Sequence, residues 1–421
     1  GTKPALIVAE VALSFALLAG AGLLVRTFIG VLRVHPGFQA TNVLSFSTLG
    51  GDYHFLLQLR KNLAGLPGVQ SASVVSHLPL DGYIANWYDY YWPEATPPGQ
   101  RATAQRWLGA KGPQVGASTS GTHAAGALGP APNIAMADYR SVMPGYFKTI
   151  SATMIEGRDF TDGDDAAHQH VIIVDDALAR QAWPGQDAIG KKLHISDSPA
   201  GFYQFQDDWG VVVGVVGHVQ YHSLTVMVRP QVYEPYPLAP RPVAFVLRVA
   251  SSVPLAGMEA PIRAQVAALS KTVAVTRFLP LADLVAQARS QTRFVAFLAV
   301  SLAAVALLLT CIGIYGVTAY LARTRRREIA IRMALGAEPS DVRKLVLAHG
   351  MAPVIFGCLA GIALALLLSP LLSTLLFGVR PLDAPTFAAA ALFLCGVGLT
   401  ACYVPARRAM RVAPMQALRH E

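Results

Sequence analysis

The chain has 421 residues, of which 53% are apolar and 14% charged; its mean hydropathy is +0.42 and its net charge +9. Ordinary globular chains carry about 25% charged residues, so this composition excludes a typical soluble enzyme. The positive balance would suit a nucleic-acid binder, but the densest basic run abuts a charge-free apolar stretch, which is the pattern of a membrane protein with basic cytoplasmic loops.

The first apolar stretch runs from Ala5 to Val25, with Glu10 its one charge. Lys3 and the small residues Ala19-Gly20-Ala21 imitate a cleaved signal peptide, but the run continues through Leu23, Leu24 and Val25. That length crosses about 30 Å of hydrocarbon, so residues 1–33 are expected to form an uncleaved first transmembrane helix. The chain begins at Gly1, which suits a piece of a longer protein.

Residues 34–292 read as one mixed α/β extracytoplasmic domain without cysteine. Phe55, Leu56, Leu59 and Leu63 recur at helical spacing and predict an amphipathic helix from Asp52 to Ala64, which Leu66-Pro67-Gly68 ends. Strands are expected over Val69–Ser76, Val171–Val174, Val211–Val216, Phe245–Val249 and Val273–Phe278. Helices are expected from Asp175 to Trp183, Pro254 to Leu269 and Pro280 to Ser290, the last feeding the second span. Trp87, Tyr88, Tyr90, Tyr91 and Trp92 form an aromatic cluster whose expected role is packing. Residues 93–132 are rich in Gly, Ala, Ser, Thr and Pro and are expected to form a long exposed loop.

Three further spans follow, at about 294–322, 346–369 and 385–405, and Pro370 is expected to mark where the third leaves the membrane. The fold class is therefore four transmembrane helices plus a mixed α/β domain. Arg323, Arg325, Arg326, Arg327, Arg332, Arg343 and Lys344 lie between spans two and three, and Arg407, Arg408, Arg411 and Arg419 follow span four. Positive short loops stay in the cytoplasm, which puts both termini inside and residues 34–292 outside. Arg26, Arg33, Arg289 and Arg293 argue the other way but border a long segment, which weighs little in that rule. The two ends of the outer domain return to one membrane face, so span one is expected beside span two.

Gly185 to Lys192 nearly matches a phosphate-binding loop. That chemistry needs a strand before the loop, a helix after it, and Ser or Thr after the lysine to hold magnesium. Here a helix precedes, Lys192 replaces the hydroxyl, and Leu193-His194-Ile195 looks extended, so a surface turn is expected. His168 and His170 adjoin Asp162, Asp164 and Asp165, and His218 stands near His222. A metal site is conceivable there, but solvated loop residues are the expectation. Glu10 is an intramembrane acid near the cytoplasmic end, where it could reach the interface or serve proton coupling. Cys311, Cys358, Cys395 and Cys402 lie in apolar stretches without metal-ligand spacing. No catalytic, cofactor-binding or metal-binding constellation stands out.

The inner segment Arg327-Glu328-Ile329-Ala330-Ile331-Arg332-Met333-Ala334-Leu335-Gly336-Ala337 resembles that of FtsX-like permease domains. Tyr403-Val404-Pro405-Ala406-Arg407-Arg408-Ala409 and Pro414-Met415-Gln416-Ala417-Leu418-Arg419 resemble that domain's ending. Pro144-Gly145-Tyr146-Phe147, Glu156-Gly157-Arg158-Asp159-Phe160, Trp183-Pro184-Gly185, Ile189-Gly190-Lys191 and Val213-Gly214-Val215-Val216-Gly217 look like the periplasmic core domain of MacB-like permeases. The likeness extends to the acidobacterial-type duplicated permeases, whose chains carry two such units. Ala330 stands where the family often has Gly, and the loop before Tyr139 is longer than usual.

This resemblance implies a permease subunit of an ABC transporter, of efflux or mechanotransmission type, in a bacterial inner membrane. It implies a first helix over 1–33, a periplasmic core domain over 34–292 and an FtsX-like domain over 293–421. ATP and magnesium would sit on a separate cytoplasmic ATPase, docked on segment 323–344 through Arg327, Glu328, Ile331, Ala334, Leu335, Gly336 and Ala337. Other implied partners are a second permease unit (a homodimer or duplicated half), a periplasmic adaptor or substrate, and membrane lipid, with no nucleic acid. The rival readings are a membrane-anchored extracytoplasmic enzyme and a sensor or binding module.

Overall fold

The structure is a computed structural model that describes residues 2–82, 88–97, 135–164, 168–195, 209–225, 229–236, 243–324, 339–373, 376–380 and 382–410. Its chain divides into two units: Gly1–Val34 with Arg289–Glu421, and His35–Ala288.

The second unit is a mixed sheet with helices against it. Its strands are β1 (Val43–Leu49), β2 (Val69–Val75), β3 (Tyr88–Pro93), β4 (Ala135–Val142), β5 (Met154–Gly157), β6 (Val171–Asp175), β7 (Lys192–Ile195), β8 (Trp209–Val216), β9 (Gln231–Pro235), β10 (Val243–Val249) and β11 (Ala274–Pro280). The hydrogen-bonded order is β11-β1-β10-β2-β4-β3-β7-β8-β6-β9, with β5 on β8. β9 also pairs with β4 in parallel, Tyr139 against Val232, so six strands from β4 to β9 close a ring.

Two apolar cores flank this sheet. Helix α2 (Tyr53–Ala64) starts at Asp52, whose Oδ1 accepts the Phe55 N–H at 2.8 Å, an N-cap that satisfies one orphan donor. Its buried Leu56, Leu59 and Leu63 face Phe46, Val74, Phe245 and Leu247, joined by Ile262 and Val266 of helix α5 (Glu259–Leu269). Phe46 and Phe245 stack at 4.9 Å. Burying each of these leucines stabilises the unit by roughly 2 kcal/mol. Helix α3 (Tyr146–Ile150) follows Gly145, which holds φ 83°. Helix α4 (Asp176–Ala182) covers the other core with Leu178, against Ile172, Val174, Val212 and Val232. The segment expected as one helix from Pro254 opens with a 3-10 turn over Leu255–Met258 before α5 begins.

The first unit holds helices α1 (Thr2–Arg33), α6 (Leu281–Thr324, which starts in the second unit), α7 (Pro339–Ser373) and α8 (Ala384–Met410). All four are long and apolar enough to cross a membrane. The short helix expected from Pro280 is the start of α6: β11 passes straight into a helix of 44 residues, about 66 Å long. The apolar span of α7 closes at Leu368, just before Pro370, and the helix itself continues to Ser373. A proline frees only one carbonyl in the preceding turn, and transmembrane helices tolerate that.

Span one was expected beside span two, and it does touch it, but its closest packing is on span three. A Cβ at Gly357 of α7 would lie 2.5 Å from Val11, and one at Gly361 2.6 Å from Phe15, so both glycines let the backbones approach. The numbers rise together, so α1 and α7 run parallel. Against α6 they run the other way, with Glu10 on Gly313 and Ser14 on Thr310. The start of α1 and the C-terminal end of α6 therefore share one end of the bundle.

Candidate functional site

Within the bundle the contact between α1 and α6 is polar. The Ser14 hydroxyl donates to the Ala306 carbonyl at 3.0 Å and lies 2.6 Å from the Thr310 hydroxyl. Both side chains are buried. One turn away the Glu10 carboxylate occupies the space a Cβ at Gly313 would take, 2.5 Å from Oε2. The other end is tied by an ion pair between Arg26 and Asp383, and Asp383 also accepts the Thr386 N–H at 3.1 Å at the start of α8. Cys358 and Cys402 are buried, Cys311 and Cys395 half-buried, and all four are free thiols.

The second unit carries a buried polar lattice built on β4, β6 and β9. Asp138 and Arg140, two residues apart on β4, are 1% and 0% exposed and stand 3.6 Å apart. Arg140 donates to the Tyr139 carbonyl at 2.6 Å and lies 4.3 Å over the Tyr221 ring. The Tyr221 and Tyr146 hydroxyls meet at 2.7 Å, and the Tyr233 hydroxyl donates to Gln231 at 2.6 Å. Burial pushes all three tyrosines above their ordinary pKa.

Three of the four histidines, His170, His218 and His222, belong to this lattice, which corrects for them the expectation that they are solvated loop residues. His218 Nδ1 lies 2.6 Å from Asp175 Oδ2, and Asp175 Oδ1 accepts the Leu178 and Gln231 N–H groups. His170 stands 3.3 Å from Glu234, itself bound by the Tyr139 hydroxyl at 2.7 Å, and His222 pairs with Asp138. His168 is exposed. Buried carboxylates need such partners, because an uncompensated charge inside a protein costs several kcal/mol. Burial remains the largest influence on Asp175 and lifts its pKa above the usual range, against the His218 and backbone bonds.

Asp162 and Asp164 pair with Arg60 and Arg158, and Asp165 lies outside the described residues. Among the described residues no three His, Cys, Asp or Glu side chains gather to hold a metal. Gly185 to Lys192 is a turn from α4 into β7, with Gly185 and Gly190 at φ 70° and 78°. The aromatic cluster is strand β3, where Tyr91 and Trp92 are buried and Trp92 stacks on His194 at 4.2 Å; Trp87 lies outside the described residues. So do Arg327, Glu328, Ile331, Ala334, Leu335, Gly336 and Ala337, and most of the 93–132 stretch.

Two family profiles match. Residues 81–265 match the MacB-like periplasmic core domain, and residues 300–414 the FtsX-like permease C-terminal domain. The matches fall on the sheet unit and on the helices that follow it, in that order. The chain belongs to the MacB/FtsX-like ABC transporter permeases. This permease is 36% identical over 138 residues to the pyoverdine export ATP-binding/permease protein PvdT of Pseudomonas savastanoi pv. phaseolicola, covering 32% of this chain and 20% of the relative. It is 24% identical over 291 residues to the macrolide export ATP-binding/permease protein MacB of Mannheimia succiniciproducens, covering 66% of this chain and 42% of the relative. The chain thus spans less than half the length of these relatives. Among solved structures it is similar to the periplasmic region of MacB from Actinobacillus actinomycetemcomitans, at 12% identity and a TM-score of 0.32, over 59% of this chain and 94% of that one.

Proposed function

We propose that this permease is a subunit of an efflux or mechanotransmission ABC transporter, in which ATP hydrolysis on a separate cytoplasmic subunit moves the domain of residues 35–288. The observation that carries the reading is the uninterrupted passage from β11 into α6. A strand of the sheet and a helix long and apolar enough to cross a membrane follow each other without an intervening loop. The names of the relatives join ATP binding, permease and export, which supports an ATPase as the driving partner. Both termini and segment 323–344 are placed in the cytoplasm, on the basic residues there. The ATPase docks on that segment through its apolar residues Ile331, Ala334 and Leu335, and a second permease unit completes the assembly.

Gly336 tests the reading. It follows the last periodic residues and precedes Glu338-Pro339-Ser340-Asp341, the place for a left-handed helix end. Gly336→Val strains such a turn by about 1–3 kcal/mol without altering charge. Stimulated ATP hydrolysis by the partner subunit should fall while membrane insertion stays normal. Unchanged stimulation would leave the segment only a topological role. Cysteines placed at Ser340 and Ser118 should label from opposite sides of the membrane.

A further inference from the structure

The end of the bundle that leads into residues 35–288 carries four arginines. Arg33 ends α1, Arg289 and Arg293 lie a turn apart on α6, and Arg380 lies between α7 and α8. Two observations bring them to one level. Glu10 meets Gly313 and Ser14 meets Thr310 in antiparallel register; extended along both helices, that register sets Arg33 level with residues 290–291, between Arg289 and Arg293. The Phe377 N–H reaches the Thr27 hydroxyl at 3.4 Å, which brings the segment with Arg380 to the same end. Arg33, Arg293 and Arg380 are exposed, and the Nε of half-buried Arg289 is buried without a hydrogen-bond partner. Among the described residues none of the four has a carboxylate partner. Arg26, at the same end, is different: it is held by Asp383.

Each of these arginines borders an apolar stretch, at the depth where a helix leaves hydrocarbon for headgroups. An unpaired guanidinium there is matched in charge and in its planar donor fork by a phosphate oxygen. Their position also runs against the usual cationic bias, which favours the opposite end of this bundle. We infer that Arg33, Arg289, Arg293 and Arg380 form a belt that binds the phosphate of anionic phospholipid in the leaflet facing the α/β domain. This goes beyond the transport reading and does not depend on it, since it concerns the lipid that holds the bundle.

The test uses the full chain in nanodiscs, with spin-labelled phosphatidylglycerol and spin-labelled phosphatidylcholine as probes. The immobilised fraction of each lipid is read by electron paramagnetic resonance. The wild type should immobilise phosphatidylglycerol in preference. Arg33→Gln and Arg293→Gln, both exposed and safe for folding, should each lower that preference about fivefold at low salt, and all four changes together should abolish the domain-side share. Four Arg→Lys changes should retain most of it, because charge is kept. Arg26→Gln should change it less than about twofold, its guanidinium being engaged already. An unchanged preference in the Gln variants overturns the belt, as does displacement of the labelled lipid by millimolar inorganic phosphate, which would mark a site for free phosphate.

Discussion

Arg277 and Asp81 meet through both arms of the guanidinium, Nη1 2.9 Å from Oδ2 and Nη2 3.0 Å from Oδ1, although Arg277 holds a left-handed φ of 53°. Arg277 sits at the bulge where β11 slips against β1, between the partners of Ser45 and Ser47. Leu80, beside Asp81, is left-handed too, at φ 60°, with its N–H on the Tyr221 carbonyl at 2.9 Å. The ion pair thus joins two strained backbone positions, one of them four residues before α6.

The pair and the strain separate in two variants. Arg277→Ala removes the two-armed partner of the buried Asp81 carboxylate and keeps a Cβ in the left-handed region, so it should destabilise the domain by about 3 kcal/mol. Arg277→Gly loses the same ion pair but removes the Cβ penalty, and should be milder by about 1 kcal/mol. Urea titration followed by tryptophan fluorescence measures both. An alanine variant at least as stable as the glycine one would show that the φ angle costs nothing.

Asp175 gives a pH dependence with a definite sign. Its folded pKa is raised, chiefly by burial, so the folded state binds its proton more tightly than the unfolded chain. The stabilisation from that proton is full below the unfolded pKa and is lost as pH rises through the folded one. Asp175→Asn removes this titration while keeping an oxygen for the Leu178 and Gln231 N–H groups. Relative to wild type, the variant should gain stability as pH rises above the usual aspartate range. A stability difference flat from pH 4 to pH 7 would contradict the burial effect.

His218 should matter for the same reason. His218→Ala removes the 2.6 Å partner of a carboxylate that is 0% exposed and should cost about 2 kcal/mol. His168→Ala, at an exposed position, should cost less than about 0.5 kcal/mol. Thermal unfolding at pH 7 compares them, and equal effects would place His218 outside the lattice.

What the sequence made legible follows the periodic elements. The spacing of Leu56, Leu59 and Leu63 marks α2, and Asp52 and Asp175 mark the starts of α2 and α4 as capping residues. β4 and β9 escaped because polar residues share their buried positions with apolar ones. Ala135–Val142 turns Asp138 and Arg140 to one face, and Gln231–Pro235 turns Gln231 to that face and Glu234 to the other, all four buried. Alternation of apolar and polar residues cannot reveal a strand that buries polar groups as well as apolar ones. The one trace is the two-residue spacing of Asp138 and Arg140, which a strand turns to one face. The histidines were misread likewise: their carboxylate partners lie 43, 64 and 84 residues away in sequence. The four spans were legible because hydrocarbon demands long uncharged runs, but which helix packs on which depends on glycine positions that composition hides.

Those glycines give a graded prediction for the bundle. A Cβ at Gly361 would meet the Phe15 Cβ at 2.6 Å and the Ala12 carbonyl oxygen at 2.9 Å, and one at Gly357 would meet Val11 at 2.5 Å and the Val8 carbonyl oxygen at 3.1 Å. These neighbours are backbone or the first atoms of a side chain, which cannot swing away. Gly357→Ala and Gly361→Ala should therefore force α1 off α7 and cost about 1–3 kcal/mol each. Gly313→Ala meets the far end of Glu10, and Gly22→Ala the Cγ2 of Thr386, at 2.8 Å; both neighbours can rotate, so the cost should be smaller. Gly316 and Gly396 meet nothing within 4 Å. Alanine there should be neutral or stabilise by up to about 1 kcal/mol through helix propensity. Thermal aggregation of the full chain in detergent ranks the six variants. If Gly316→Ala and Gly396→Ala prove as damaging as Gly357→Ala and Gly361→Ala, close approach of α1 and α7 does not hold the bundle together.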